Sequence, residues 1–381
     1  MIKSKNILLL HVSSDLYGAS RVLLQVAIIL KNNGYQPVVV ISSCGTLKEA
    51  LEEVGIPVYI RPLAILRRKY FNLPGLANRA QNYFQAKKAL SQIIEQHQID
   101  TIYTNTIGVL IGAVLAKRFG LRHIWHFHEI IKRPRFILRL VSNLAKSSNA
   151  EIIVVSNAVK KHWESYLSDL KISRIYNGFD FSYLDSSEKK PIHLKSEIDQ
   201  LTIGMVARVH FWKGQTYFLD IAYELKKLGI RAKYLMVGDA FEGYEYLYDE
   251  INYKKTALEL NENVIDLGFR QDIGHILDHL DLFILPSIQP DPLPTTVLEA
   301  MYKKKPVVAT AHGGATEMVE EGVTGILIPW HDAQKAANKI KEMLTSESLN
   351  LMGEAGLERV NELFSENAFK RNILKLIGGI S

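Results

Sequence analysis

Apolar runs of strand length alternate with helix-like stretches along nearly the whole of this 381-residue chain. That alternation constrains the fold more than any other feature, because strands joined through helices lie parallel and need helices on both faces of their sheet. In the first half the runs predict strands near Ile7–Val12, Pro37–Ser42, Val58–Ile60, Thr101–Tyr103, His123–His126, Ile152–Ser156 and Ile172–Tyr176. A helix opens near Ala19 and runs to about Asn32, with Gly34 placed to cap it. A second series predicts strands near Thr202–Val206, Lys233–Val237, Val264–Leu267, Leu282–Leu285, Val307–Thr310 and Gly325–Ile328. Between the series, Phe181–Gln200 loses periodicity around SSEKKP, and residues 186–200 read as a linker. The expected class is α/β, with one doubly wound domain over 1–185 and another over 201–364. The length agrees, since it exceeds one ordinary core.

Composition narrows the function classes. With 47% hydrophobic and 23% charged residues the chain is neither disordered nor fibrous. Cys44, the single cysteine, has no internal disulfide partner and no zinc-type spacing, which points to a reducing, cytoplasmic setting. The opening MIKSKNILLLHV has too short an apolar run for a signal peptide and includes His11, so a buried first strand fits it better. No stretch approaches the roughly 18 apolar residues of a membrane span. Neither half carries a clean GxGxxG, which disfavours a nicotinamide dehydrogenase. The net charge is +6, and the basic residues are concentrated. Residues 61–88 hold Arg61, Arg67, Arg68, Lys69, Arg79, Lys87 and Lys88 with no acid. Residues 117–146 hold eight Lys/Arg against Glu129 alone. No nucleic-acid motif accompanies that charge, so a nucleic-acid partner is not expected.

The chemistry-bearing residues fall where open α/β sheets bind ligands, beyond the carboxyl ends of their strands. Arg208 and Lys213, in GMVARVHFWKGQ, follow the first strand of the second series and suit a diphosphate clamp. Asp291 lies in a loop, with Glu299 eight positions on in a helix starting near Thr295; paired carboxylates accept hydrogen bonds from sugar hydroxyls. Gly313 and Gly314 open a turn that offers N–H groups to phosphate. Gly18, Ala19 and Ser20 make an anion-friendly helix start after the first strand. His126, His128 and Glu129 close an apolar strand in HIWHFHEI; a metal reading lacks a distant third ligand. A hydrolytic Asp291–Glu299 pair of the glycosidase kind is left open by spacing alone.

The block from Asp291 to Gly325, DPLPTTVLEAMYKKKPVVATAHGGATEMVEEGVTG, resembles the donor-sugar signature of the retaining family 4 glycosyltransferases. It departs by having Asp291 where the family usually has Glu, and Leu293-Pro294 where Phe-Gly is common. Further similar pieces occur in the family's order over nearly the whole chain: Ser156; Asn177, Gly178 and Asp180; Gly238 and Asp239; Gly268, Arg270 and Asp272; Pro286 and Ser287. The resemblance implies the GT-B fold, two Rossmann-like domains facing a cleft, with a last helix over 365–381 crossing back to the first domain. It implies that Arg208, Lys213 and Gly214 bind the donor diphosphate, Asp291 a donor-sugar hydroxyl, Glu299 the ribose hydroxyls and His128 the sugar. The segment Leu293, Pro294 and Thr295 would pass close to the donor, Pro294 without an N–H, and the Arg270 loop would lie against the base. Gly18, Ala19, Ser20 and Gly238 would approach the diphosphate side.

The function implied is retaining transfer of a sugar from a nucleotide-sugar, a UDP-sugar favoured over a GDP-sugar, to a hydroxyl of a glycan or lipid-linked acceptor. No cofactor and no metal are expected. An epimerase of the same fold and a catalytically silent nucleotide-sugar-binding subunit are the alternatives. In RPRFILRLVSNLAK, Phe136, Ile137, Leu140, Val141 and Leu144 share one helical side among Arg and Lys. Such a helix fits an anionic membrane surface as a peripheral partner, or a core-facing position.

Overall fold

The computed structural model describes residues 5–16, 18–63, 65, 73–131, 133–185, 190–192, 200–345 and 348–378. Most of the linker expected over 186–200, and Arg67, Arg68, Lys69 and Lys132 of the basic segments, lie outside them. The chain divides into two compact units, Met1–Asn177 with Phe369–Ser381 and Gly178–Ala368. The division falls at Asn177–Gly178, ahead of the boundary expected at 185, because the turn Ser182–Leu184 packs within the second unit: Gly274 lies so close that a Cβ there would sit 1.8 Å from the Leu184 carbonyl.

In the first unit, β1 (Asn6–Leu10), α1 (Ala19–Asn32), β2 (Gln36–Ile41), α2 (Thr46–Glu53) and β3 (Val58–Ile60) alternate. Then come α3 (Leu73–Gln96), β4 (Thr101–Asn105), α4 (Ile111–Phe119) and β5 (Arg122–Phe127). The series continues with α5 (Arg135–Ser147), β6 (Glu151–Val154), α6 (Asn157–Glu164) and β7 (Ile172–Arg174). The strands form one parallel sheet in the order β3-β2-β1-β4-β5-β6-β7. The strands show no alternation of burial because both faces are covered: every residue of β4 is buried, its polar Thr101, Thr104 and Asn105 included, as is β1 after Asn6. Helix α1 buries Val22, Leu23, Val26, Ala27, Ile29 and Leu30 and leaves the rest of its circumference more open, as the 3.6-residue period requires. Helix α4 stops at Gly120, whose left-handed φ of 64° suits a residue without a Cβ.

The second unit repeats the plan. It holds β8 (Leu201–Val206), α7 (Gln215–Lys227), β9 (Ala232–Val237), α8 (Tyr246–Ala257), β10 (Val264–Asp266) and α9 (Ile273–Asp278). It continues with β11 (Leu282–Leu285), α10 (Thr295–Tyr302), β12 (Val307–Thr310), α11 (Ala315–Met318) and β13 (Gly325–Ile328). Helices α12 (Ala333–Leu344), α13 (Leu349–Leu363) and α14 (Glu366–Gly378) follow. The parallel sheet has the order β10-β9-β8-β11-β12-β13. All thirteen strands expected from the apolar runs form, most with ends within two residues of the expectation. Helix α14 belongs to the first unit from Phe369 onward. Arg122 holds its end there: Nη1 and Nη2 donate to the Ile377 and Leu376 carbonyls at 2.6 and 2.9 Å, while Nε and the same Nη2 grip Glu151 at 2.6 and 2.9 Å.

Each sheet reverses its winding at one place. In the first unit the reversal lies between β1 and β4, in the second between β8 and β11. Connections leave such neighbours in opposite directions, so a crevice opens beyond their carboxyl ends.

The first unit buries three histidines. His11 follows β1, His123 bonds Thr104 and Ser148 hydroxyls at 3.0 and 2.9 Å, and His126 lies at the end of β5. Burial lowers their pKa values, to about 4 for His11 and about 3 for His123 and His126. Above pH 6.5 these rings are neutral in the folded and unfolded chain alike. As pH falls below 6.5, the unfolded chain takes up protons the folded unit refuses, down to pH 4–3. Stability should therefore drop by about 1.4 kcal/mol per pH unit for each ring over that window. Urea unfolding followed by Trp125 and Trp163 fluorescence from pH 7.5 to 5 should show a falling midpoint; a flat profile would contradict the burial of neutral rings.

Candidate functional site

The winding reversal of the second unit carries the predicted charged residues. Past β8 the chain keeps pairing with the segment past β9, through Ala207 N–H to Val237 O and Val209 N–H to Asp239 O, both at 2.9 Å. Gly238 makes this possible: at φ 140° a Cβ would lie 2.0 Å from the Ala207 carbonyl. Its N–H goes to Gly268 O at 2.9 Å, so its part is to let two backbones meet. The loop then turns at Gly214, φ 84°, which enters α7 with its α-carbon against Pro286; a Cβ would lie 1.9 Å from that carbonyl. Gly214 thereby sets Lys213 beside the loop that follows β11, and Ile288 N–H closes the contact on Trp212 O at 2.9 Å.

Across this junction the Lys213 ammonium forms a short ion pair with the Asp291 carboxylate. Both side chains are largely enclosed, at 19% and 10% exposure. Removing one partner of so enclosed a pair costs about 3 kcal/mol or more, because the other charge is left without compensation. The Lys213 ammonium also lies 4.3 Å from the Trp212 ring centre. Arg208 is exposed, and its guanidinium lies 3.5 Å over the Phe241 ring, a cation–π contact worth about 0.5–1 kcal/mol at such a surface. The Arg208 carbonyl is held by the buried Gln215 amide at 2.8 Å. His210, between the two cations, has its pKa lowered by burial and by Arg208 and Lys213. Two positive side chains thus stand at one carboxyl-end junction, Arg208 on an aromatic face and Lys213 on a carboxylate.

Asp291 is fixed from beneath by the Gly-Gly turn. Gly314 N–H donates to the Asp291 carbonyl at 2.7 Å, and a Cβ on Gly313 would lie 2.4 Å from that same oxygen. The two glycines serve a close backbone crossing, and of the N–H groups expected to face a phosphate the Gly314 one is already used. Leu293 and Pro294 are buried, and Pro294 leads into α10 ahead of Thr295. Glu299, in the second turn of that helix and 8% exposed, accepts a hydrogen bond from the Tyr183 hydroxyl at 2.7 Å. Arg270, expected near a base, is engaged within the unit. Its guanidinium chelates Asp272 at 2.7 and 2.5 Å and donates to Lys190 O at 3.1 Å. That pairing holds the Asp272 carboxyl down at about 2, so Arg270 acts first as a fastener of the chain near 190.

The first unit places its predicted residues at its own reversal. Gly18, φ 46°, leads into α1, and its α-carbon has open space around it. Ser20 is buried, and its hydroxyl bonds His11 Nε2 at 2.9 Å, so its side chain faces inward. Ala19 contributes its carbonyl to the Asn105 amide at 2.8 Å. Asn105 Oδ1 in turn meets His128 Nε2 at 2.9 Å. The His128 ring lies 4.1 Å from that of His126, whose Nδ1 bonds the Tyr103 hydroxyl at 2.7 Å. Glu129 has its pKa raised by burial, although its carboxylate takes a short bond from Thr106 and one from His128 N–H at 3.0 Å. Sequence reasoning passed over Asn105, His11 as a site residue, Tyr103 and Tyr183. For Asn105 the available signal was an amide side chain at the carboxyl end of a predicted strand; Tyr183 gave none.

Helix α5 splits its apolar stripe. Leu138, Val141 and Ala145 enter the core, whereas Phe136 and Leu140 are exposed beside Arg135 and Arg139. Among the described residues there is no cluster of three or more His, Cys, Asp or Glu able to hold a metal, and no helix long and apolar enough to cross a membrane.

Known proteins resemble this chain in sequence and fold. The family "Glycosyltransferase Family 4" matches residues 17–183, and "Glycosyl transferases group 1" matches residues 186–359. The chain is 30% identical over 316 residues to the N,N'-diacetylbacillosaminyl-diphospho-undecaprenol alpha-1,3-N-acetylgalactosaminyltransferase of Campylobacter jejuni, covering 78% of this chain and 80% of that one. It is 23% identical over 360 residues to the UDP-Gal:alpha-D-GlcNAc-diphosphoundecaprenol alpha-1,3-galactosyltransferase of Escherichia coli, covering 89% and 88%. The crystal structure of Anabaena HepE in complex with UDP superposes with a TM-score of 0.79 at 25% identity, covering 98% of this chain and all of that one. With both halves matched in order and both sheets wound alike, the chain belongs to the group 1, family 4 glycosyltransferases and has their GT-B fold.

Proposed function

We propose that this chain transfers a sugar from a nucleotide-sugar, a UDP-sugar by preference, to a hydroxyl of a lipid-linked or glycan acceptor, with retention at the anomeric carbon. The observation that carries the reading is the pair of cations, Arg208 and Lys213, at the winding reversal of the second unit beside Asp291. The similarity to enzymes named for diphospho-undecaprenol acceptors supports the acceptor class, and that to the UDP complex supports the base.

In the proposed step the bond between the anomeric carbon and the diphosphate oxygen breaks, and the acceptor oxygen bonds that carbon on the same face. The acceptor proton passes to the departing phosphate. Arg208 and Lys213 take up the negative charge that grows on the diphosphate, in place of a metal ion. Glu299 accepts from the ribose hydroxyls and Asp291 from a sugar hydroxyl, while His128 orients the sugar. Asp291 is one methylene shorter than the family's usual Glu, which alters reach toward the sugar and leaves the diphosphate contacts as they are.

Purified protein incubated with a panel of nucleotide sugars and lipid-diphosphate-sugar acceptors should release nucleoside diphosphate from one donor. Arg208→Ala and Lys213→Ala should each lower that rate by about 100-fold or more. Donor binding without turnover would sink the transferase reading and favour a silent binding subunit. Interconversion of the donor sugar without release would favour an epimerase.

The exposed Phe136 and Leu140 among Arg135 and Arg139 support an anionic membrane surface as a peripheral partner. Sedimentation with phosphatidylglycerol vesicles should weaken at high salt and with Arg133, Arg135 and Arg139 changed to Glu. Binding that ignores both changes, or no binding, would remove this partner.

A further inference from the structure

The polar chain at the winding reversal of the first unit has one proton position that can be worked out from a main-chain carbonyl. The Ala19 carbonyl only accepts, so the Asn105 side-chain atom 2.8 Å from it is the Nδ2 donor. The other amide atom, facing His128 Nε2 at 2.9 Å, is then Oδ1, which also only accepts. His128 Nε2 must carry the proton. His11 is not fixed in this way: its Nδ1 lies 2.9 Å from the Asn105 carbonyl and 3.1 Å from Asn105 Nδ2, and its Nε2 meets the Ser20 hydroxyl at 2.9 Å, so either tautomer is served. The His128 assignment stands on the Ala19 carbonyl and the Asn105 amide alone.

Asn105 cannot easily turn away. It is fully buried, it ends β4 in register with His126, and the next residue is locked. Thr106 has φ 118°, a left-handed backbone that is a genuine outlier for a β-branched residue. Its N–H donates to His126 O at 3.0 Å, its carbonyl accepts from Trp125 Nε1 at 2.9 Å, and its hydroxyl donates to Glu129. Strain of this kind persists only where neighbours over-determine it, and it concentrates at working sites. Among the described residues, none bonds His128 Nδ1.

We propose that Asn105 is a positioning residue that holds the His128 imidazole as its Nε2–H tautomer, so that His128 offers a ligand a bare Nδ1, an acceptor for a hydroxyl proton. A ring held this way takes a hydrogen bond from a sugar or acceptor hydroxyl and supplies neither a proton nor a positive charge to a phosphate. Burial, with His126 and His11 nearby, keeps the His128 ring from protonating at neutral pH. The choice of a hydroxyl as ligand rests on the transferase reading; the tautomer does not.

Long-range proton–nitrogen spectra of the full chain, labelled with ¹⁵N-histidine at pH 7.5, read the tautomer directly, with His128→Gln identifying the signal by its loss. The expected result is a protonated Nε2 and an unprotonated Nδ1. Asn105→Asp should shift the His128 titration upward, because a carboxylate then faces Nε2. The other titratable groups around the ring, His11, Tyr103, His126 and Glu129, are unchanged. A wild-type Nδ1–H tautomer would overturn the proposal whether or not the variant folds, as would an unmoved titration in a folded Asn105→Asp. A correct tautomer in a protein without transferase activity would keep the positioning role and discard only the ligand.

Discussion

The ion pair between Lys213 and Asp291 is the contact around which the second unit is arranged. It joins the loop after β8 to the loop after β11, the two loops that flank the winding reversal. Gly214 makes that approach possible by passing Pro286 nearer than any Cβ allows, and Gly313 and Gly314, in the loop after β12, pass Asp291 and Pro292 equally closely. A side chain at Gly214 would push the two loops apart, and one at Gly313 or Gly314 would displace the segment that carries Asp291. The charged groups of the site are also occupied before a ligand arrives. Lys213 has Asp291, Arg208 has the Phe241 face and Glu299 has the Tyr183 hydroxyl. None of these three charges is buried without a partner, so an anionic ligand such as the proposed diphosphate would enter by exchanging partners rather than by relieving an isolated ion.

The same topology serves opposite electrostatics in the two units. At the reversal of the second unit the side chains are ionic, and burial together with two cations depresses the pKa of His210. At the reversal of the first unit the groups are polar and the histidine rings are held neutral. Burial lowers His11, His126 and His128 and raises Glu129, and the hydrogen bonds run through Asn105 and Ser20. A neutral network selects hydroxyls and a cationic one selects phosphate. The basic charge of the first half lies elsewhere, on surfaces such as α5.

Much of the fold was legible because parallel strands covered on both faces carry apolar residues on both, and thirteen largely apolar runs stand out between helical stretches. The pair Lys213 and Asp291 was legible as two separate residues, each beyond a strand end, but their contact depends on β8 and β11 being neighbours, which no local pattern states. The backbone crossing at Gly313 and Gly314 was not legible for the same reason: a Gly-Gly turn ahead of a helix gives no sign of the chain that passes over it. The chelation of Asp272 by Arg270 was not legible either, although the two residues are only two positions apart. Asn105 and Tyr183 act through residues 23 and 116 positions distant, and such contacts are set by the fold alone.

The account turns on the second unit holding a nucleoside diphosphate at the Lys213–Asp291 junction. A crystal structure with UDP bound tests this most directly. It should place the diphosphate oxygens within hydrogen-bonding distance of both the Arg208 guanidinium and the Lys213 ammonium, with the ribose hydroxyls on Glu299. A diphosphate bound elsewhere, with Arg208 still on Phe241 and Lys213 bonded to Asp291 alone, would contradict it.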